Sequence, residues 1–308
     1  MTTLLYTHPA CLDHDPGPHH PERPERLTAV LRALEGPKFA DLGRREAPRA
    51  KRGQIERVHR PDYVARVLAA VPERGHVALD PDTVLSPGSG EAALRAAGAL
   101  VAAVDAVAEG QGHNAFCAVR PPGHHAEPAR AMGFCLFNNV AIGAMHARAV
   151  HGYRRVAVID FDVHHGNGTQ VAFADDADAF YGSTHQYPYY PGSGGREETG
   201  LGNIVNAPLA AGSGGPEFRA AMAERILPAL DAFAPAFVLI SAGFDGHAAD
   251  PLAGLRLHES DFTWVTAEIA ALAARHCAGR LVSTLEGGYD LAALAASAAA
   301  HVRALMAA

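Results

Sequence analysis

The chain is poor in the features that would place it in several common classes. Lys38 and Lys51 are its only lysines, and 26 basic against 33 acidic side chains leave a formal charge of -7. A dedicated nucleic-acid binder needs a basic face, so this balance predicts no nucleic-acid partner. Cysteine is scarce: Cys11, Cys117, Cys135 and Cys277 have no CxxC spacing, which predicts reduced thiols and not a disulfide framework. Long apolar runs are missing too. The richest stretch, residues 92–107, is interrupted by Arg95 and Asp105, so no membrane span is expected. The opening MTTLLYTHPACLDHD has neither a basic start nor a long apolar core, which predicts no signal peptide and a cytoplasmic location. No internal repeat or low-complexity linker occurs, and nothing in the sequence reports an oligomeric state.

Hydrophobic residues make up 48% of 308, enough for a large core and for one α/β domain spanning residues 1–308. Short β-type runs are predicted at residues 4–6, 115–119, 156–159, 179–182, 237–240 and 281–284. They alternate with alanine-rich helical stretches at 25–34, 62–70 (after Pro61), 90–108, 138–151, 216–232, 259–275 and 290–306. That alternation predicts an open, mostly parallel sheet with helices on both faces. Five of the runs lead directly into unusual segments: PPGHHAE, FDVHHGNG, HQYPYYPGSG, AGFDGHAADP and EGGYD. Ligands of open parallel sheets bind beyond the carboxyl ends of the strands, so these segments are expected to meet at one edge and form an active site there.

Strand alternation puts Asp160, Asp162 and His164 on one side. Carboxylates and an imidazole so close together are costly unless a cation neutralises them, although a lone DxD is more often a solvated loop. Asp245, just past another apolar strand, is the best third ligand. Two Asp and one His leave a coordination position open, the pattern of a catalytic tetrahedral zinc. A di-manganese site of the ureohydrolase kind needs more ligands than the sequence assembles. His247 is a possible extra ligand, more simply a loop histidine. The tandem His124 and His125 are candidates for acid and base. Asp160 and Asn167 are available to orient them; an Asp partner raises its histidine's pKa more than an Asn does. Tyr289, behind two glycines, can donate to a developing oxyanion. Gly133–Phe134 and Tyr190 are candidates for aromatic walls whose parallel rings form a narrow slot. Taken singly, each of these aromatics is equally readable as core.

In order, RPPGHHAE, GFCLFNN, IDFDVHHGNGTQ, YYPGSG, GFDGHAADPLAG and LEGGYD, with the earlier HHPERPERL, resemble the histone deacetylase superfamily. That group includes acetylpolyamine amidohydrolases and acetoin-utilisation proteins, and the likeness runs from about residue 20 to residue 291. It implies zinc on Asp162, His164 and Asp245, one ion per chain. It makes His125 the general base, and the acid too, with His124 an electrostatic and hydrogen-bonding group and Tyr289 the donor to the acyl carbonyl. It places Phe134, Tyr190 and Leu252 on a substrate tunnel and Arg26 on an internal channel for released acetate. Potassium would be held by Asp160, Asp162, Ser183 and the carbonyls of His164 and Thr184, with a second ion near Phe173 and Asn203. Asp82 aligns loosely with a rim residue that grips substrate backbone.

Departures from the family pattern refine this. Asn167 in place of aspartate resembles class II. Tyr289 is kept where weakly active class IIa enzymes have His. Tyr190 replaces a more usual Phe, its hydroxyl expected to bond at the tunnel rim. Leu252 is not the acidic gatekeeper of polyamine-preferring relatives, and no capping insertion is evident. The resemblance therefore implies a zinc-dependent deacetylase of acyl-lysine or another small acylated amine. The alternatives are an acetylpolyamine amidohydrolase and a non-catalytic acyl-group binding protein.

Overall fold

The computed structural model describes residues 2–308. The six sequence-predicted strands form within a few residues of their expected bounds: β1 (Thr3–Thr7), β5 (Asn114–Cys117), β6 (Val156–Asp160), β7 (Ala179–Gln186), β9 (Phe237–Ala242) and β10 (Leu281–Leu285). Two further strands, β2 (Gly43–Glu46) and β8 (Ile204–Leu209), complete a sheet of order β2-β1-β5-β10-β9-β6-β7-β8 in which every neighbouring pair is parallel. A separate antiparallel hairpin joins β3 (Val77–Asp80) to β4 (Thr83–Leu85).

The predicted helices are α1 (Pro24–Ala33), α3 (Pro61–Ala69), α4 (Ser89–Ala108), α5 (Asn139–His151), α9 (Glu259–Cys277) and α10 (Leu291–Ala307). The single helix expected over 216–232 is instead α7 (Gly215–Ala221) and α8 (Leu227–Phe233), joined through a π-turn at Met222–Ile226. Pro228 explains the break, since it has no N–H for the carbonyl four residues back. Two short helices, α2 (Arg52–Ile55) and α6 (Asn167–Phe173), were not expected; neither is long enough to show a helical period.

Helices cover both faces, as strand alternation demands. Ser283 of β10 bonds His301 of α10 (2.8 Å), and Phe116, in register with Ser283, packs edge-on against the same imidazole. Leu239 of β9, one step off that register, meets Leu100 of α4 and Gly143 of α5 on the other side. The central strands β9 and β6 bury their apolar residues almost completely. The strands followed by the five unusual segments, β5, β10, β9, β6 and β7, are consecutive in the sheet and all parallel, so their carboxyl ends share one edge.

Candidate active site and metal centre

At that edge Asp162 and His164, from the loop after β6, meet Asp245, from the loop after β9. All three are buried, and one ligand atom from each lies within 4.8 Å of the others. His164 Nδ1 is 3.1 Å from Asp162 Oδ1 and 3.2 Å from Asp245 Oδ2. Ligands of a tetrahedral ion with bonds of about 2.0 Å lie about 3.3 Å apart, so this spacing fits a metal. Backbone amides fix the carboxylates: Gly287 N donates to Asp162 Oδ2 (2.8 Å) and Val163 N to Asp245 Oδ1 (2.9 Å). Only glycine fits at 287, because a Cβ there would stand 2.0 Å from Asp245 Oδ2 and 2.6 Å from Asp162 Oδ2. Burial, and then the charge of Asp162, push the Asp245 carboxyl above its usual range. Two carboxylates this close and this dry both stay ionised when a cation sits between them.

Two other groups bring ligand-type atoms within 4.8 Å of one another, Asp105 with His146 and His151, and His247 with His258 and Glu259. His146 Nε2 and His151 Nε2 both lie on Asp105 Oδ1, at 2.6 and 2.7 Å, hydrogen-bond distances. The Arg57 guanidinium donates to His146 Nδ1 (2.8 Å), so Nε2 carries the proton and is closed to a metal. His247 stands apart from the Asp162 group, its Nε2 3.7 Å from Glu259 Oε1, and its Nδ1 accepts from Ala249 N (3.1 Å).

The tandem histidines face the metal group with rings 4.0 Å apart. His124 Nδ1 bonds Asp160 Oδ2 (2.9 Å), which Tyr181 also donates to (3.0 Å). Burial opposes charge on His124, but Asp160 and then Asp162 overcome it and push the pKa up to about 10. His125 Nδ1 donates to Asn167 Oδ1 (2.8 Å), an orientation fixed because Asn167 Nδ2 donates to Glu127 (2.8 Å). Burial, and then the charge of His124, hold His125 well below the usual histidine range. One imidazole is thus charged and its neighbour neutral, with Nε2 free to accept a proton.

These groups floor a narrow cavity of about 90 Å³, walled by Gly133, Phe134, Tyr190, Leu252 and Tyr289, with Asp82 at its side. Gly133 and Phe134 both have positive φ, 57° and 67°. Glycine is required at 133, where a Cβ would lie 2.4 Å from His125 Cδ2. Phe134 stands edge-on to Tyr289 (centroids 5.9 Å) and Tyr190 edge-on to His125 (5.2 Å). The rim bond expected of Tyr190 is made by Tyr189, whose hydroxyl donates to the Leu252 carbonyl while its ring stacks on His164. A tyrosine pair gives the sequence no means of saying which phenol turns inward. Burial raises the Tyr289 phenol well above its ordinary pKa, so it is a donor.

Arg26 is fully buried behind Tyr289, its guanidinium 4.8 Å from the ring centroid, and it is not among the residues lining the cavity. Its donors go to Glu22 (3.0 Å) and to the carbonyls of Gly288 (2.5 Å) and Glu286 (2.5 Å). Glu22 also binds Arg120, a partner the sequence did not suggest. Ser183 is in register with Asp160 across β6 and β7, with Thr184 next to it, an oxygen-rich set suited to a hard cation. In the region expected to hold a second potassium, three backbone carbonyls converge. Asn203 Nδ2 donates to the carbonyls of Phe173 (2.8 Å), Asp176 (3.0 Å) and Ala179 (2.6 Å). Asp82 turns one carboxylate oxygen inward, accepting from Gly133 N (3.0 Å). Glu286, which the sequence did not single out, accepts from the amides of Gly123 and His124 and from Ser241.

A parallel sheet with a candidate metal group on the loops at one edge defines an α/β protein of the metal-site type, and comparison with known proteins narrows the class. The histone deacetylase domain family matches residues 20–305. The chain is 40% identical to histone deacetylase 14 of Arabidopsis thaliana, over 98% of this chain and 76% of the relative. It is 39% identical to a histone deacetylase-like amidohydrolase of Pseudomonas aeruginosa, over 94% and 82%. A human polyamine deacetylase is 39% identical over 99% of this chain, which spans 46% of that relative. The crystal structure of the HDA15 HD domain matches with a TM-score of 0.94 at 33% identity, over 99% of this chain and 88% of that one. This chain belongs to the histone deacetylase family. No helix among the described residues is long and apolar enough to cross a membrane.

Proposed function

We propose that the protein is a zinc-dependent deacetylase that hydrolyses short acyl amides of lysine side chains. The observation that carries this reading is the meeting of Asp162, His164 and Asp245 beside a narrow cavity lined by His164 and by two histidines, one bonded to Asp160 and the other to Asn167. A zinc ion, when bound by those three residues, supplies the Lewis acid for the acyl carbonyl and acidifies water at the site. His125 Nε2 takes the proton from the attacking water, its ring held by Asn167. Tyr289 donates to the carbonyl oxygen as negative charge builds there. His124, kept protonated by Asp160, faces that charge without giving up its proton. The C–N bond breaks as His125 returns its proton to the amine nitrogen, and acetate and free amine leave. Potassium, held by Asp160, Asp162, Ser183 and the carbonyls of His164 and Thr184, would stiffen the loop after β6.

The small cavity favours a short acyl group, and Leu252 at its wall offers no carboxylate to a polyamine. A polyamine substrate has one argument in its favour, the likeness to the human polyamine deacetylase. A panel of acylated lysine peptides and acetylpolyamines, assayed with the zinc-loaded protein, tests the reading. Highest kcat/KM on acetyl-lysine supports it; a preference for acetylspermidine overturns the substrate, and no turnover of any amide overturns the activity.

A further inference from the structure

β5 ends at Cys117, and the chain that follows leaves the sheet ladder before it reaches the tandem histidines. The amides of Gly123 and His124 are buried there, and buried amides need acceptors. Both find the same one. Glu286 Oε2 accepts from Gly123 N at 2.7 Å and from His124 N at 3.2 Å. The other oxygen, Oε1, accepts from Ser241 Oγ at 3.1 Å, and Ser241 is in register with Asp160, the partner of His124. Glu286 itself is fully buried, and its backbone is anchored by Glu286 N to the Ala242 carbonyl (3.0 Å). From behind, the segment abuts α5: a Cβ on Gly123 would meet Asn139 N at 2.5 Å, while Asn139 Nδ2 holds the Pro121 carbonyl at 3.1 Å. The Gly123–His124 backbone therefore sits between a helix start and a single carboxylate.

We infer that Glu286 is a positioning residue, whose side chain sets the backbone at Gly123 and His124 and thereby aims both imidazoles at the acyl cavity. The inference rests on the deacetylase reading for its effect on rate, though not for the contact itself. Its reach as an acceptor matters, more than its charge. Glutamine keeps that reach: the amide oxygen can accept from both N–H groups, and the NH₂ can donate to Ser241 Oγ. Aspartate keeps the charge but is shorter by one carbon–carbon bond, about 1.5 Å, which takes both amides out of hydrogen-bond range.

The experiment compares Glu286→Gln, Glu286→Asp and Ser241→Ala with the wild type, all zinc-loaded, on an acetyl-lysine peptide. Zinc content and thermal melting are measured alongside. Glu286→Gln is expected to keep kcat within about fivefold, and Glu286→Asp to lose about 10²-fold in kcat with KM changed less than about threefold. Ser241→Ala, which frees the carboxylate to rotate, is expected to lose about three- to tenfold in kcat at full zinc content, and decides the case if Glu286→Asp does not fold. A glutamine variant as impaired as the aspartate one, or an unimpaired aspartate or alanine variant, overturns the inference. The amide proton shifts of Gly123 and His124 give a readout independent of turnover. They are expected to stay downfield with Gln and to move upfield with Asp; unmoved shifts in the Asp variant overturn the contact. A wild type inert on every amide would sink the activity while leaving this readout intact.

Discussion

His124 and His125 are adjacent and both buried, yet their pKa values move apart: burial and then the charge of His124 hold His125 low, while Asp160 and then Asp162 overcome burial at His124. The division of labour lies in that difference, and it can be inverted. Asn167→Asp puts a carboxylate on His125, favours its charged form and raises its pKa. The base must be neutral, so the acid limb of kcat/KM moves to higher pH, and activity near pH 6 falls more than activity near pH 8. A pH profile of the variant that overlays the wild type would count against His125 as the base. Tyr289 makes a different contribution. In the proposed mechanism its phenol, kept protonated by burial, acts only once the carbonyl becomes tetrahedral. Tyr289→Phe is expected to lower kcat by about 10²–10³ with little change in KM. Steady-state kinetics on an acetyl-lysine reporter checks this, and unchanged turnover removes Tyr289 from the mechanism.

The elements deliver these side chains because each chemical segment follows directly on a buried strand end. Those strands were legible: 156–159 and 237–240 are continuous apolar runs, as strands covered on both faces must be. The edge strands were not. β2 reads GRRE and has no apolar run, and β8 contains Asn206 and Pro208, a proline tolerated only because the strand lies at the sheet edge. The metal group and tandem histidines were likewise readable, because their spacing at strand ends fixes which residues can meet. Side-chain direction within a loop leaves no such trace, so Tyr189 was missed at the rim and Glu286 beside the histidines. Close approach leaves no such trace either: Gly287 is needed because two carboxylates stand against it. Gly287→Ala drives a methyl between Asp162 and Asp245. It is expected to abolish zinc retention, and elemental analysis showing full zinc would contradict that.

Across the whole molecule, eight parallel strands leave one edge at which loops from β5, β10, β9, β6 and β7 meet. The excess of acidic residues gives the surface a mild attraction for cationic partners, which suits acylated basic tails without selecting among them. Raising salt from about 0.05 to 0.5 M is therefore expected to raise KM for a lysine-rich acetylated peptide more than for a neutral one. Equal salt dependence would place recognition wholly in the cavity. Beneath all of this lies the metal group, and X-ray data collected across the zinc absorption edge test it most directly. The account predicts one anomalous peak per chain, bonded to Asp162, His164 and Asp245 together. A zinc-loaded crystal with no peak there, or with its peak bonded to a set lacking any of the three, would contradict it.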